Sequence, residues 1–229
     1  CVIERCLEGW VDLNQNPADG CEYPCDFISA EDNPDMEVID QNCDGIDGAV
    51  SEAIFVDVES GDDTQDGGRY TPMFSIGAGI ARAAEEGKDV YVSVGVYTEE
   101  IILQSGVSVY GGFDARAGWT RVRDITTEVV HPHRVLFGDQ IFAETVVQRM
   151  VLRSLDNLNT SGSAYGIVLN QSLGVVFEDN VIEAGRGGSG LDGSDGSIGS
   201  NGASGSNGED AQDSANIFQS CSRRAGGAF

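Results

Sequence analysis

The sequence predicts an all-β fold of the solenoid kind, and three observations carry that prediction. The first is a stretch of short apolar runs from Asp89 to Phe113, DVYVSVGVYTEEIILQSGVSVYGGF. The second is that comparable runs recur downstream at roughly 20 to 30 residues, the range of solenoid repeats. The third is composition: 31 glycines against 7% aromatics, which means many turns and few large core groups. In the first run Val90, Val92, Val94 and Val96 alternate with Tyr91, Ser93, Gly95 and Tyr97. That period of two is the signature of a strand with one buried face. Ile101, Ile102 and Leu103 form a second run, Val107 and Val109 open a third, and Gly95, Gly106 and Gly111-Gly112 mark corners. Strands this short cannot bury a face alone, but they can do so by stacking on similar neighbours.

Composition sets the limits. The 229 residues suit one domain, alone or with a small appendage, and no apolar run is long enough to span a bilayer. The formal net charge of −25 argues against nucleic acid or anionic lipid as partners and favours divalent cations. Of the cysteines Cys1, Cys6, Cys21, Cys25, Cys43 and Cys221, all but the last fall in the first 43 residues. Such density among Asp, Asn and Gly predicts a disulfide-stapled module outside the cytosol, residues 1–52. Zinc is disfavoured, because there is no close C-x-x-C and both histidines are distant. No signal peptide is visible, so a mature or excised form is expected, and Cys1 suits a disulfide half better than a lipid attachment.

Within that module Asp12, Asn14, Asn16 and Asp19 alternate before Gly20 and read as turn formers. Asp32 and Asp35 then precede DQNCDGIDG, from Asp40 to Gly48. Asp40, Asn42 and Asp44 occupy the first, third and fifth positions of a calcium loop, Gly45 its sharp turn, and Ile46 a backbone-carbonyl position, with Asp47 next. The twelfth position is Ser51, with Glu52 one residue late, and no flanking helices are evident. The motif is therefore not an EF-hand. It reads equally as a calcium loop or as an Asx-turn linker. Cys43 is expected to pair with Cys25 and close this loop.

The stretches C-x4-C-x2-G-x2-D…DGCEYPC and DQNCDGIDG resemble the N-terminal parts of secreted surface proteins of myxobacterial type. The second is similar to a DxNCDGxDG repeat regarded as metal-binding. Met36 and Glu37 stand where that repeat carries a further cysteine, so its usual local disulfide is not expected here. The resemblance implies calcium held by Asp32, Asp35, Asp40, Asn42, Asp44, Ile46 and Asp47. Next comes a strand, Ile54 to Val58, and an acidic loop with Asp57, Asp62, Asp63 and Asp66; the last three are further candidate cation ligands. Pro72 to Gly87 predicts one helix, with Ile76, Ile80 and Ala84 on a face, Ser75 as cap and Gly87 as stop. With the V-Y-V-x-x-G-x-Y-x-E strand, this segment resembles the start of right-handed parallel β-helices of the pectin-lyase-like superfamily. That implies a right-handed parallel β-helix over 53–184 whose N-terminal end the helix caps. The fold alone implies no chemistry.

Downstream, DARAGWTRVRD reads as a surface excursion from which Trp119 folds back. Val129-Val130 and Val135 to Phe137 flank His131-Pro132-His133, a turn rather than a metal or acid–base pair. Val146 to Leu152, Tyr165 to Asn170, Gly174 to Phe177 and Asn180 to Ile182 read as further strands, with Asn157, Asn159, Asn170 and Asn180 at left-handed corners or in ladders. Glycine then recurs every third residue from Gly190 to Gly208 without proline, which excludes collagen. Residues 185–213 are expected as an excursion, either a solvated loop or a bundle of packed polyproline strands. Residues 214–229 are expected as a tail.

No catalytic residue is assigned. Glu99, Glu100, Glu178, Asp179 and Glu183 are the strand carboxylates, with only Arg149 and Arg153 near them, and no Ser-His-Asp set or phosphate loop is present. The expected function is a non-catalytic extracellular or cell-surface structural or adhesive protein, bacterial and secreted, calcium-stabilised at its N-terminus. It would associate with further copies or other surface proteins. A polysaccharide lyase, glycoside hydrolase or carbohydrate-binding module is the alternative, with polysaccharide as the partner.

Overall fold

A computed structural model describes residues 5–16, 18–121 and 126–208. The chain divides into two units, Cys1–Leu191 and Asp192–Phe229. In the first, an antiparallel pair, β1 (Trp10–Val11) and β2 (Tyr23–Pro24), opens the chain. Then come β3 (Ala53–Val56), α1 (Ile76–Glu86), β4 (Asp89–Ser93), β5 (Gly95–Tyr97), β6 (Ile101–Ile102), β7 (Val109–Asp114) and β8 (Thr120–Arg121). They are followed by β9 (Thr127–His131), β10 (Arg134–Asp139), β11 (Thr145–Gln148), β12 (Met150–Ser154), β13 (Tyr165–Asn170), β14 (Val175–Glu178) and β15 (Val181–Glu183).

The protein is mostly β, with parallel sheets. One sheet runs β14-β11-β7-β4-β3 with β8 antiparallel on β7, a second β15-β12-β9-β5, and a third β13-β10-β6. From β4 onward, β8 aside, the chain visits the three sheets in rotation, and each visit lies parallel to the previous one. Aliphatic side chains pair in register across the first sheet, Ile54 with Val90, Val90 with Val109, and Val109 with Val147. They line one core together with Ile76, Ile80 and Ala83 of α1, and their burial drives the fold.

α1 begins at Ile76 rather than Pro72, because Ser75 is extended and Met73 bridges Val56 instead. Ser75 accepts from the Ala78 N–H, and Gly87 at φ 69° ends the helix. Glu99 supports the N-terminal end: its carboxylate accepts the Ile76 and Gly77 N–H groups, each at 2.9 Å. The buried face carries Gly79 and Ala83, whereas Ala84, expected there, is exposed. A Cβ on Gly79 would lie 2.6 Å from Val56 Cγ2, so this glycine sets how close the helix approaches the sheet.

Four other expectations are corrected. The valine alternation is not one strand with one buried face. β4 ends at Ser93, Gly95 turns the chain into another sheet, and there Tyr97 is buried while Val96 is 57% exposed. β4 is covered on both sides, because Tyr91 joins Ile46, Phe55, Tyr110, Phe113 and Trp119 in a second cluster. Gly111-Gly112 is not a corner. It lies inside β7 as a bulge, where the register slips between Tyr91 and Ser93 and Gly112 takes φ 83°. Val146 to Leu152 is split by Arg149 at φ 58°, and Asp179, φ 49°, repeats that corner beneath it. Left-handed corners fall on these two residues and on others such as Gln140 and Gln171, and on none of the four asparagines. Asn180 instead accepts from the Met150 N–H (2.9 Å) and donates to the Val147 carbonyl (2.7 Å), stitching neighbouring strands.

In the second unit, residues 192–208 have no helix or strand and are exposed throughout. A Cβ on Gly193, Gly196, Gly199 or Gly202 would meet nothing within 4 Å, so the glycine period serves no close packing there. The 214–229 tail lies outside the described residues, as do Cys1 and Cys221, both expected in disulfides.

Candidate functional site

Two disulfides staple the N-terminal segment, Cys6–Cys21 and Cys25–Cys43, the second as expected. Inside the first disulfide loop Asp12 and Asn14 both accept from the Asn16 N–H, as in Asx turns. The segment from Asp32 to Val50 is a tighter version of the same device. Asp40 accepts from the Asp44 N–H (3.2 Å), the Gly45 N–H (2.8 Å) and the Tyr23 hydroxyl (2.8 Å). Asn42 accepts from the Asp44 N–H at 2.9 Å, and Asp44 from the Val50 N–H at 2.8 Å. Gly45, at φ 96°, supplies the turn that its position in the motif demands. Asp32 and Asp35 join through Gln41, whose backbone N–H goes to Asp32 (2.9 Å) and whose side-chain amide goes to Asp35 (3.3 Å).

The electrostatics of this loop are those of crowded, desolvated carboxylates. Burial raises the pKa of Asp32, against the N–H bonds it accepts, and the Asp40 charge raises it further. Asp44 is raised for the same reasons, burial first. Asp32 is only 4% exposed, and its Oδ1 has no hydrogen-bond donor. A buried carboxylate oxygen without a partner is costly.

The side chains of the remaining expected ligands make other contacts. That of Ile46, whose backbone carbonyl was the expected donor, lies in the aromatic cluster. Asp47 turns away from the loop, accepting from the Asp35 N–H at 3.0 Å and pairing with Arg121 Nη1 at 2.9 Å. Asp62 accepts from the Thr64 N–H and hydroxyl, each at 2.8 Å. Asp63 accepts from Phe74 N–H, Ser75 N–H and the Ser75 hydroxyl at the start of α1. Asp66 accepts from Gly68 N–H and the Thr71 hydroxyl. Asp62 and Asp66 thus serve their own turns, and Asp63 the start of α1. Among the described residues no group of three or more His, Cys, Asp or Glu side chains is gathered tightly enough to hold a metal ion.

Sequence reasoning missed two arrangements. The first is Arg121, placed on a surface excursion by its neighbours yet buried with Asp47. It donates to the carbonyls of Gly111 (3.0 Å) and Asp35 (3.2 Å) and to the Gln148 side chain, and its guanidinium stands 5.2 Å from the Phe113 ring. Nothing local distinguishes it from exposed Arg116; only docking of the N-terminal loop does. The second is a cleft of about 500 Å³ lined by Glu100, His131, His133, Arg134, Ser163 and Tyr165. His131 ends β9, and Pro132-His133 is a bend that leads into β10. The carboxylate that its local sequence lacks arrives from Glu100, paired with Arg134, whose guanidinium stacks 3.9 Å over Phe137. His131 Nδ1 is buried without a partner. An exposed tyrosine ring beside these polar groups is a surface that a sugar ring can stack on.

Among the described residues no helix is long and apolar enough to cross a membrane. No protein-family model matches the chain, and neither a curated protein nor a solved structure does.

Proposed function

We propose that the chain is a non-catalytic extracellular scaffold or adhesive protein of the cell surface. Its three parallel sheets are read as the faces of one right-handed β-helix, and its Asp32–Val50 loop as a calcium-stabilised clasp. The rotation of consecutive strands through the three sheets supports the helical reading. The calcium reading rests on Asp32 Oδ1, a buried carboxylate oxygen lacking a donor, on a carboxylate that feels the Asp40 charge. Asp32, Asp40, Asn42 and Asp44 are not gathered into a cage as they stand, so the ion would have to draw them together, with Asp35 near by. Its charge would offset their mutual repulsion, and hard oxygen donors suit calcium. The disulfides accord with an oxidising compartment. Isothermal titration with calcium tests this: saturable binding is expected, lost in Asp32→Asn and accompanied by a Tm drop in chelator. No heat of binding and no chelator effect would remove the calcium.

A second reading, carbohydrate binding with or without cleavage, is favoured by the cleft around His131, His133 and Tyr165. Release of unsaturated uronates from pectin or alginate by the purified chain would replace the scaffold reading with a lyase.

A further inference from the structure

The two ends of the sheets differ. At one end α1 packs against β3, β4 and β6. At the other, β13, β14 and β15 are all edge strands among the described residues. The register shows what is open. Leu152 is 0% exposed, while its partner in the next strand, Ile182, is 48% exposed. Leu136 is buried, but Ile167 beside it is only partly so. An open edge of this kind is a template for strand addition.

Polar side chains across the ladders define what fits there. Asp47 pairs with Arg121, Arg121 donates to Gln148, and Gln148 donates to Glu178 (2.8 Å). Arg149 faces Asp179 at 3.7 Å. Arg153 lies between Glu128 (3.4 Å) and Glu183 (2.8 Å). Each column thus ends on an acceptor, Glu178, Asp179 or Glu183, with Val176, Val181 and Ile182 exposed among them. A further rung needs donors at those three positions and aliphatic residues between.

We propose that this end is closed by an extended segment of a partner polypeptide in which Arg, Lys or Gln occupies the three donor positions between aliphatic residues. It rests on the stacked-strand part of the scaffold reading, whose open end it supplies with a partner chemistry, and it is independent of calcium. A second copy placed end to end would bring its own Glu178, Asp179 and Glu183 to the same junction, adding acids where donors are needed. A second copy placed head to tail would meet α1, not a strand edge. The pattern already occurs once in this chain, one rung earlier, as TVVQRMVLR over Thr145 to Arg153.

A labelled peptide of that sequence tests the proposal by fluorescence anisotropy with the full chain. Saturable binding is expected, weakening as salt rises. It should weaken by at least about tenfold in two cases, three lost ion pairs or charge-assisted contacts amounting to that much. One is a peptide carrying Gln148→Glu, Arg149→Glu and Arg153→Glu. The other is a chain carrying Glu178→Gln, Asp179→Asn and Glu183→Gln, whose unchanged Tm confirms that it folds. Absent binding, equal binding of both peptides, or undiminished binding to the triple variant would overturn the proposal. So would dimerisation in sedimentation that Ile182→Asp abolishes, since a second copy would then be the occupant. A structure with antiparallel sheets would undo the scaffold reading itself, whereas a failed peptide leaves it standing.

Discussion

Arg121→Met isolates the contact between the N-terminal loop and the sheets. Both Arg121 and Asp47 side chains are almost fully buried, at 0% and 1% exposure. Methionine keeps much of the packing against Phe113 and removes the charge. Asp47 is then a buried carboxylate with only the Asp35 N–H, and breaking such a pair costs about 3–5 kcal/mol. For a unit of this size that is a Tm loss of roughly 10 °C at pH 7.5. The loss has a definite pH dependence. Burial, opposed by Arg121, already pushes the Asp47 pKa up to about 6 from 3.8. A folded pKa above the unfolded one means a stabilising contribution that is fully present below 3.8 and lost as pH rises through about 6. Removing Arg121 raises the folded value further. Protonation at pH 5 then relieves much of the variant's deficit. Thermal and urea unfolding at pH 7.5 and pH 5 should show the gap to the parent protein narrowing on acidification. The double variant Arg121→Met with Asp47→Asn should recover part of the loss at pH 7.5. A pH-independent gap, or no recovery in the double variant, would refute the idea that the pair is the seam.

Three further outcomes follow from the geometry. Thr127→Val, at a fully buried site, removes the acceptor of the Gly112 N–H (2.9 Å) at the β7 bulge, and a loss of about 1–3 kcal/mol is expected in urea unfolding. Cys25→Ser with Cys43→Ser opens a loop with sequence separation 18, and should cost about 3 kcal/mol and weaken any calcium heat in the same titration. Trp119→Ala deletes a ring 4.6 Å from Phe55 and a hydrogen bond to the Arg69 carbonyl, so a loss of about 3–5 kcal/mol should appear in thermal unfolding.

Much of the backbone plan was legible because it is local. Ser75 and Gly87 bracket α1 through their own backbone preferences, and β13 falls on the apolar run from which it was read. Cys25 and Cys43 flank a loop dense in turn formers, and they do pair. The carboxylate turns from Asp40 to Asp44 likewise follow from Asx geometry two to five residues away.

What the sequence alone determined is therefore the set of elements whose hydrogen bonds and periodicity close within a few residues: short strands, one capped helix, and Asx loops under a disulfide. What only the tertiary structure decided is which faces are covered. Tyr91 looked like a solvent face until residues 46–50 and Trp119 lay on it, Arg121 looked exposed until Asp47 met it, and Glu99 read as a strand carboxylate until it capped α1. Burial and charge pairing join groups far apart in the chain, and no local preference encodes such a meeting.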